Sequence, residues 1–92
     1  MWAIVEERNA AKALDNLPLQ VAEKYAFWCA IVRQCGPQGL RTIKGFHDEK
    51  LAGRLAHLRS SRLSQQWRVL YRIQKDAAIV YVERIAAHNY RP

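Results

Sequence analysis

Ser61-Arg62-Leu63-Ser64-Gln65-Gln66-Trp67-Arg68-Val69-Leu70-Tyr71-Arg72-Ile73 is the stretch on which the fold turns. From Trp67 onward it alternates: Trp67, Val69, Tyr71 and Ile73 point one way, Arg68, Leu70 and Arg72 the other. Successive side chains leave a strand on opposite faces, so a period of two in aromatic and β-branched residues predicts a half-buried strand. The apolar set must face a core, which leaves Arg68 and Arg72 together on the far side. Guanidinium groups displayed on a sheet suit phosphate or carboxylate. The same pair would equally serve as the solvated side of an antiparallel sheet. Ser64-Gln65-Gln66 is the expected hairpin turn, although it lacks the glycine that tight turns favour.

Working outward, residues 54–63 read as a strand of weaker alternation, and Lys75-Asp76 as a turn. Residues 77–85 form a further strand whose run Ile79-Val80-Tyr81-Val82 is almost continuously apolar, the pattern of a strand covered on both faces and central in its sheet. Residues 86–92 are a short polar tail. At the other end, residues 2–6 lean towards a strand, and Asn9 is a candidate N-cap for a helix over 10–16 with Ala10, Ala13, Leu14 and Leu17 on one side. Pro18 closes that helix or opens the next. The next helix spans 19–34, with Val21, Tyr25, Trp28 and Val32 in a stripe that must pack on the sheet. Gly36-Pro37-Gln38-Gly39 breaks it, and residues 40–53 predict an irregular segment with one helical turn. The order β-α-α-β-β-β implies a single α+β domain over 1–92: two helices packed on one face of a twisted, mainly antiparallel four-stranded sheet. The other face is expected to be open, concave and basic.

Composition narrows the partners. Half the residues are hydrophobic and a quarter charged, as in an ordinary globular protein. No apolar run approaches the ~20 residues that span a bilayer, and the N-terminal residues lack the basic start and small-residue cleavage site of a signal peptide. Cys29 and Cys35 lie six residues apart on one helix and supply no disulfide framework, so both are expected to be reduced packing residues in a cytoplasmic protein. No CxxC or HxxxH pattern supplies metal ligands, and neither a metal nor another cofactor is expected. The net charge of +7 is segregated: Arg8, Lys12, Lys24 and Arg33 balance Glu6, Glu7, Asp15 and Glu23, so the whole excess falls in residues 41–92. One basic half implies an anionic partner, nucleic acid first and an acidic protein segment second. Arginines outnumber lysines ten to five, which suits bidentate contact with phosphate.

Three patterns carry a family likeness. They are Gly53-Arg54-Leu55-Ala56-His57-Leu58-Arg59-Ser60-Ser61-Arg62, then Trp67-Arg68-Val69-Leu70-Tyr71-Arg72-Ile73, and the closing His88-Asn89-Tyr90. With its size, charge and element order, the chain resembles the RelE/ParE toxin superfamily of type II toxin–antitoxin systems, in particular its RelE and HigB-like branches. The resemblance implies an mRNA interferase: an endoribonuclease that cuts mRNA at the A site of the 30S subunit of the translating ribosome and is held inactive by a cognate antitoxin. The same strand pattern is shared with ParE-like toxins, which poison DNA gyrase without catalysis, and that is the alternative reading.

RNA carries its own nucleophile, the 2′-hydroxyl. Metal-free cleavage therefore needs in-line positioning, removal of the 2′ proton, stabilisation of the phosphorane and protonation of the leaving 5′-oxygen. By resemblance, Arg68 matches the family's phosphate-stabilising strand arginine, Tyr90 its C-terminal aromatic, and Glu49 a general-base carboxylate found before the sheet in one subgroup. His88 is a candidate for proton exchange. Retention of Glu49, His88 and Tyr90 around Arg68 favours the ribonuclease over the gyrase poison. Arg62, Arg72, Arg59, Lys50, Arg54 and Lys44 are the candidates for contact with RNA. Each has a plain alternative: Glu49 as a solvated loop charge, His88 as a strand-end hydrogen bond, Arg62 as a contact for antitoxin. His47 and His57 carry no assigned role, and the chain lacks the dense lysine cluster of parts of the family.

Overall fold

A computed structural model of the chain describes residues 1–87. In chain order the elements are strand β1 (Ala3–Glu6), helices α1 (Arg8–Leu14) and α2 (Leu19–Cys35), and strands β2 (Glu49–Lys50), β3 (Arg59–Arg62), β4 (Trp67–Gln74) and β5 (Ile79–Ala87). Short 3-10 turns fill the segment between α2 and β3 and the β4–β5 connection. The sheet runs β1-β5-β4-β3-β2; β1 lies parallel to β5 and every other pair is antiparallel. The expected α+β class and helix pair are therefore present.

Three details differ. Among the described residues the sheet has five strands, because Glu49–Lys50 pairs with β3 at Glu49↔Ser60 and Lys50↔Arg59. Two residues are too few to show a period, so nothing in the sequence marks them as a strand. The strand expected over 54–63 contracts to Arg59–Arg62, since Gly53 takes a positive φ of 64° and turns the chain through Leu55. The strand at the centre is β4, not β5. Arg68, Val69, Leu70 and Tyr71 are all buried, whereas β5 buries Val80, Val82 and Ile85 and leaves their neighbours partly or fully exposed.

The core explains the helices. α2 buries Val21, Tyr25, Trp28 and Val32, as the stripe predicts, and adds Cys29. The Trp28 ring meets Tyr71 of β4 edge-on at 5.3 Å between centroids and stacks on Tyr25 at 5.6 Å, arrangements that add to the stability of simple burial. Leu40 and Phe46, from the irregular segment, are fully buried and complete the layer. Both cysteines are free; Cys29 packs but Cys35 is exposed, which corrects its expected packing role. α1 starts earlier than the Asn9 cap implies, because the sheet leads straight into it: the Glu7 amide donates to the Val82 carbonyl at 2.9 Å, and helix begins at Arg8. Pro18 stands just outside α2, its carbonyl accepting from Ala22. α2 stops at Gly36, whose φ of 77° and closeness to the Trp2 indole, 2.8 Å from where a Cβ would lie, leave room for glycine alone. In the β3–β4 turn the missing glycine is replaced by Ser64, whose hydroxyl accepts from the amides of Gln66 (3.4 Å) and Trp67 (3.2 Å). Among the described residues, no helix is long and apolar enough to cross a membrane.

Candidate active site and nucleic-acid interface

Side chains directly opposite each other in an antiparallel ladder share a face. Val69, Tyr71 and Ser61 face the helices, so their neighbours Arg62, Arg68, Ser60 and Leu70 stand on the other side. Arg62 is paired directly across from Arg68. Like charges in that position repel, and a fold that places them so needs a compensating anion.

Among the described residues, the structure provides one carboxylate at Arg68. Glu49, at the start of β2, lies 3.6 Å from the Arg68 Nη2 with its side chain 61% exposed. Arg68 itself is only 6% exposed. Its Nε donates in a short hydrogen bond to Ser60 Oγ, and its Nη2 donates to the His47 carbonyl at 3.3 Å. The expectation of an arginine standing free on an open face is thus corrected. Ser60 and the 47–49 segment cover Arg68, which fixes its guanidinium as an exposed side chain could not be fixed. Arg62 is less constrained, and its buried Nε has no hydrogen-bond partner among the described residues. A buried donor without a partner is uncommon and costs stability.

What holds Glu49 in place is its neighbour Asp48, whose side chain is fully buried. Asp48 Oδ1 accepts from Arg59 Nε at 2.8 Å and forms an ion pair with its Nη2, also at 2.8 Å. Its Oδ2 accepts from the Ser61 and Tyr71 hydroxyls, both at 2.6 Å. Ser61 in turn accepts from the Trp28 indole at 3.0 Å. Burial, then the hydrogen bond and charge of Asp48, push the Tyr71 phenol well above the tyrosine range. Burial opposes the charge of Arg59, but Asp48 outweighs it and raises the guanidinium above its ordinary value. The preceding residue, His47, sits in the left-handed region at φ 42°, a conformation a non-glycine residue keeps only when its surroundings enforce it. The Asp48 network provides that enforcement and so aims both the His47 carbonyl and Glu49 at Arg68.

The other candidates divide. Arg59 is committed to Asp48. Arg72 is committed to Glu83 (2.7 Å) and Glu7 (3.6 Å) and lies over the Tyr81 ring at 4.1 Å. Lys44, Lys50 and Arg54 are exposed. His88 and Tyr90 lie outside the described residues. Sequence reasoning passed over Asp48, Ser60 and Ser61. The available signal was two consecutive serines inside a strand, where neither hydroxyl is useful unless a buried polar partner awaits it.

The chain matches no family model and no curated protein by sequence. Its structure is similar to solved ones. The toxin–antitoxin complex RelBE2 of Mycobacterium tuberculosis contains a chain with TM-score 0.68 at 20% identity, over 94% of this chain and 96% of that one. The archaeal RelE–RelB complex of Pyrococcus horikoshii gives 0.74 at 18% identity over 98% of each chain. The YoeB/ParE toxin of Agrobacterium tumefaciens gives 0.75 at 16% identity, over 94% of this chain and 98% of that one. With an arginine-bearing central strand between a helical layer and a basic face, and with near-complete coverage in both directions, this chain has the fold of the RelE/ParE toxin superfamily.

Proposed function

We propose that the protein is the toxin of a type II toxin–antitoxin pair and that it acts as a metal-independent endoribonuclease on mRNA. The observation that carries this reading is the cross-strand pair Arg62↔Arg68 with Glu49 at 3.6 Å: two cations and one carboxylate converging on the sheet face away from the helices. A phosphodiester fits such a site. Glu49 takes the proton of the 2′-hydroxyl as the 2′-oxygen bonds to phosphorus. Arg68 and Arg62 hold the extra negative charge of the phosphorane. The P–O5′ bond then breaks and the 5′-oxygen receives a proton, a role for His88 or Tyr90 by family resemblance. The buried, braced Arg68 suits transition-state stabilisation, because a donor fixed beforehand needs no rearrangement as charge develops.

Action on the translating ribosome, in the cytoplasm, and inhibition by a cognate antitoxin are part of the proposal. The antitoxin is supported by the mycobacterial and archaeal structures, both of which are complexes with one. The basic half of the domain would receive an acidic or amphipathic segment of that partner, and their association should slow as salt rises. The test is cleavage of mRNA on purified translating ribosomes. Products should end in a 2′,3′-cyclic phosphate and begin with a 5′-hydroxyl, and a 2′-deoxy nucleotide at the cut site should abolish cutting. Chelators should have no effect once ribosome integrity is maintained. Intact mRNA with accumulating DNA breaks would replace this reading by gyrase poisoning.

A further inference from the structure

We propose a second anion subsite, one that takes a backbone phosphate of the RNA strand beyond the cut, in the cavity where Arg41, Lys50, His57, Arg59 and Arg72 converge. This inference rests on the ribonuclease reading above and extends it. The cavity has a volume of about 200 Å³, and its remaining wall is largely apolar, from Leu58 and Ile73. The five basic residues come from separate parts of the chain: the turn after α2, β2, the segment before β3, β3 and β4. Arg59 and Arg72 arrive with their charges answered, by Asp48 and by Glu83 with Glu7. Arg41, Lys50 and His57 have no ion-pair partner among the described residues. Arg41 and His57 are exposed, and neither was assigned a role from the sequence.

Position selects RNA as the occupant. β2 is a two-residue edge strand, and its Glu49 and Lys50 project to opposite faces, Glu49 with Ser60 and Lys50 with Arg59. A nucleic-acid strand held at Glu49 and Arg68 has only this narrow edge, roughly 7 Å of strand, to pass before it meets Lys50 and the cavity. Basic grooves that track a backbone in this way hold single strands without reading their sequence. Arg41 supplies the planar fork that matches a phosphate, and His57 a further donor. An acidic peptide would answer the same charges, but it has no reason to lie next to the residue that removes the 2′ proton.

The test compares wild type with the Arg41→Gln/His57→Gln double variant, in which both replaced side chains are exposed and neither contributes to the Asp48 network. The probe is single-stranded RNA of about three and about ten nucleotides, with a 2′-deoxy nucleotide at the cut site, its binding followed by anisotropy across a salt series. Wild type should bind the longer RNA more tightly than the shorter. The variant should match wild type on the short RNA, lose the gain with length, and show a salt slope shallower by roughly one for each phosphate it no longer holds. Equal binding of both RNAs by both proteins, with cleavage intact, would overturn the subsite and leave the Arg62–Arg68 site standing. A wild type that binds no RNA and cuts none would overturn both. A variant that keeps its RNA affinity at both lengths but loses affinity for an acidic antitoxin peptide would assign the cavity to protein and refute the proposal.

Discussion

The two ends of β4 carry the same residue on the same face and do different things. By alternation Arg68 and Arg72 are equivalent, two repeats of the pleat apart. In the folded chain Arg72 is neutralised by two glutamates and stacked on Tyr81 with its side chain 35% exposed. Arg68 is buried against a serine hydroxyl and a carbonyl, with one exposed glutamate at its edge. One end of the strand is an ion pair that joins β4 to β5 and to the start of α1. The other is a braced cation with capacity for a further anion. What separates them is supplied by partners distant in the chain, and that is why no window of sequence around β4 could tell them apart.

Substitution should separate the ends further. Arg68→Ala is expected to reduce mRNA cleavage by about a hundred- to a thousandfold, with Arg68→Lys recovering only part of the rate because an ammonium lacks the planar two-point contact. Arg72→Ala should change the rate by no more than roughly two- to threefold. Single-turnover cleavage on ribosomes measures both, and near wild-type cutting by Arg68→Ala would end the catalytic assignment. The same Arg68→Ala change should also cost stability, about 1–3 kcal/mol, since it strands the Ser60 hydroxyl and the His47 carbonyl.

Asp48→Ala probes the middle of the strand. It leaves Arg59, Ser61 and Tyr71 facing a void, and urea unfolding should register a loss of about 3 kcal/mol. Cleavage should fall as well, because Glu49 loses its anchor; a variant of unchanged stability would show that the network is dispensable. Alkali tests the same region more gently. Tyr71 and Tyr25 both have phenols raised above the ordinary 10.0 in the folded protein, by burial first and then by Asp48 and Glu6 respectively. Above a pH of about 10 the unfolded chain gives up these protons while the native one retains them. Stability should therefore be complete below a pH of about 10 and fall above it by up to about 1.4 kcal/mol per pH unit for each tyrosine. Tyr71→Phe, measured against wild type, should flatten that decline. The smallest effect is expected at the other end: a double-mutant cycle between Arg72 and Glu83, both about one-third exposed, should give roughly 0.5 kcal/mol, and less at high salt.

Much of the architecture was legible because it rests on periodicity. The stripe Val21, Tyr25, Trp28, Val32 and the alternation from Trp67 to Ile73 each require a core on one side, and a helical layer against a sheet satisfies both. The continuous apolar run in β5 misled, because Ile79 and Tyr81 are only half-buried and β1 covers an edge, not a face. The site was legible only by residue type. Arg68, Arg62 and Glu49 do come together, but the features that give them geometry are a buried aspartate in a charged run and two serines in a strand. In sequence Asp48 resembles any solvated charge. Its burial follows from Arg59 and Tyr71 lying opposite each other in the β3–β4 ladder, a fact that exists only after folding.

The parallel pairing of β1 with β5 bears on when the sheet becomes complete. Ala3 leaves the ribosome long before its partner Ile79 is made. Until then β1 lacks the strand it pairs with, and the apolar stripe of α2 has no finished sheet to cover. Pairing between distant parts of a chain forms slowly, because the loop entropy is spent before the pairing rewards it. The sheet therefore closes as a late event, after β5 has been made. A chain built this way completes its sheet in one late step, with the first strand to be made the last to find its place.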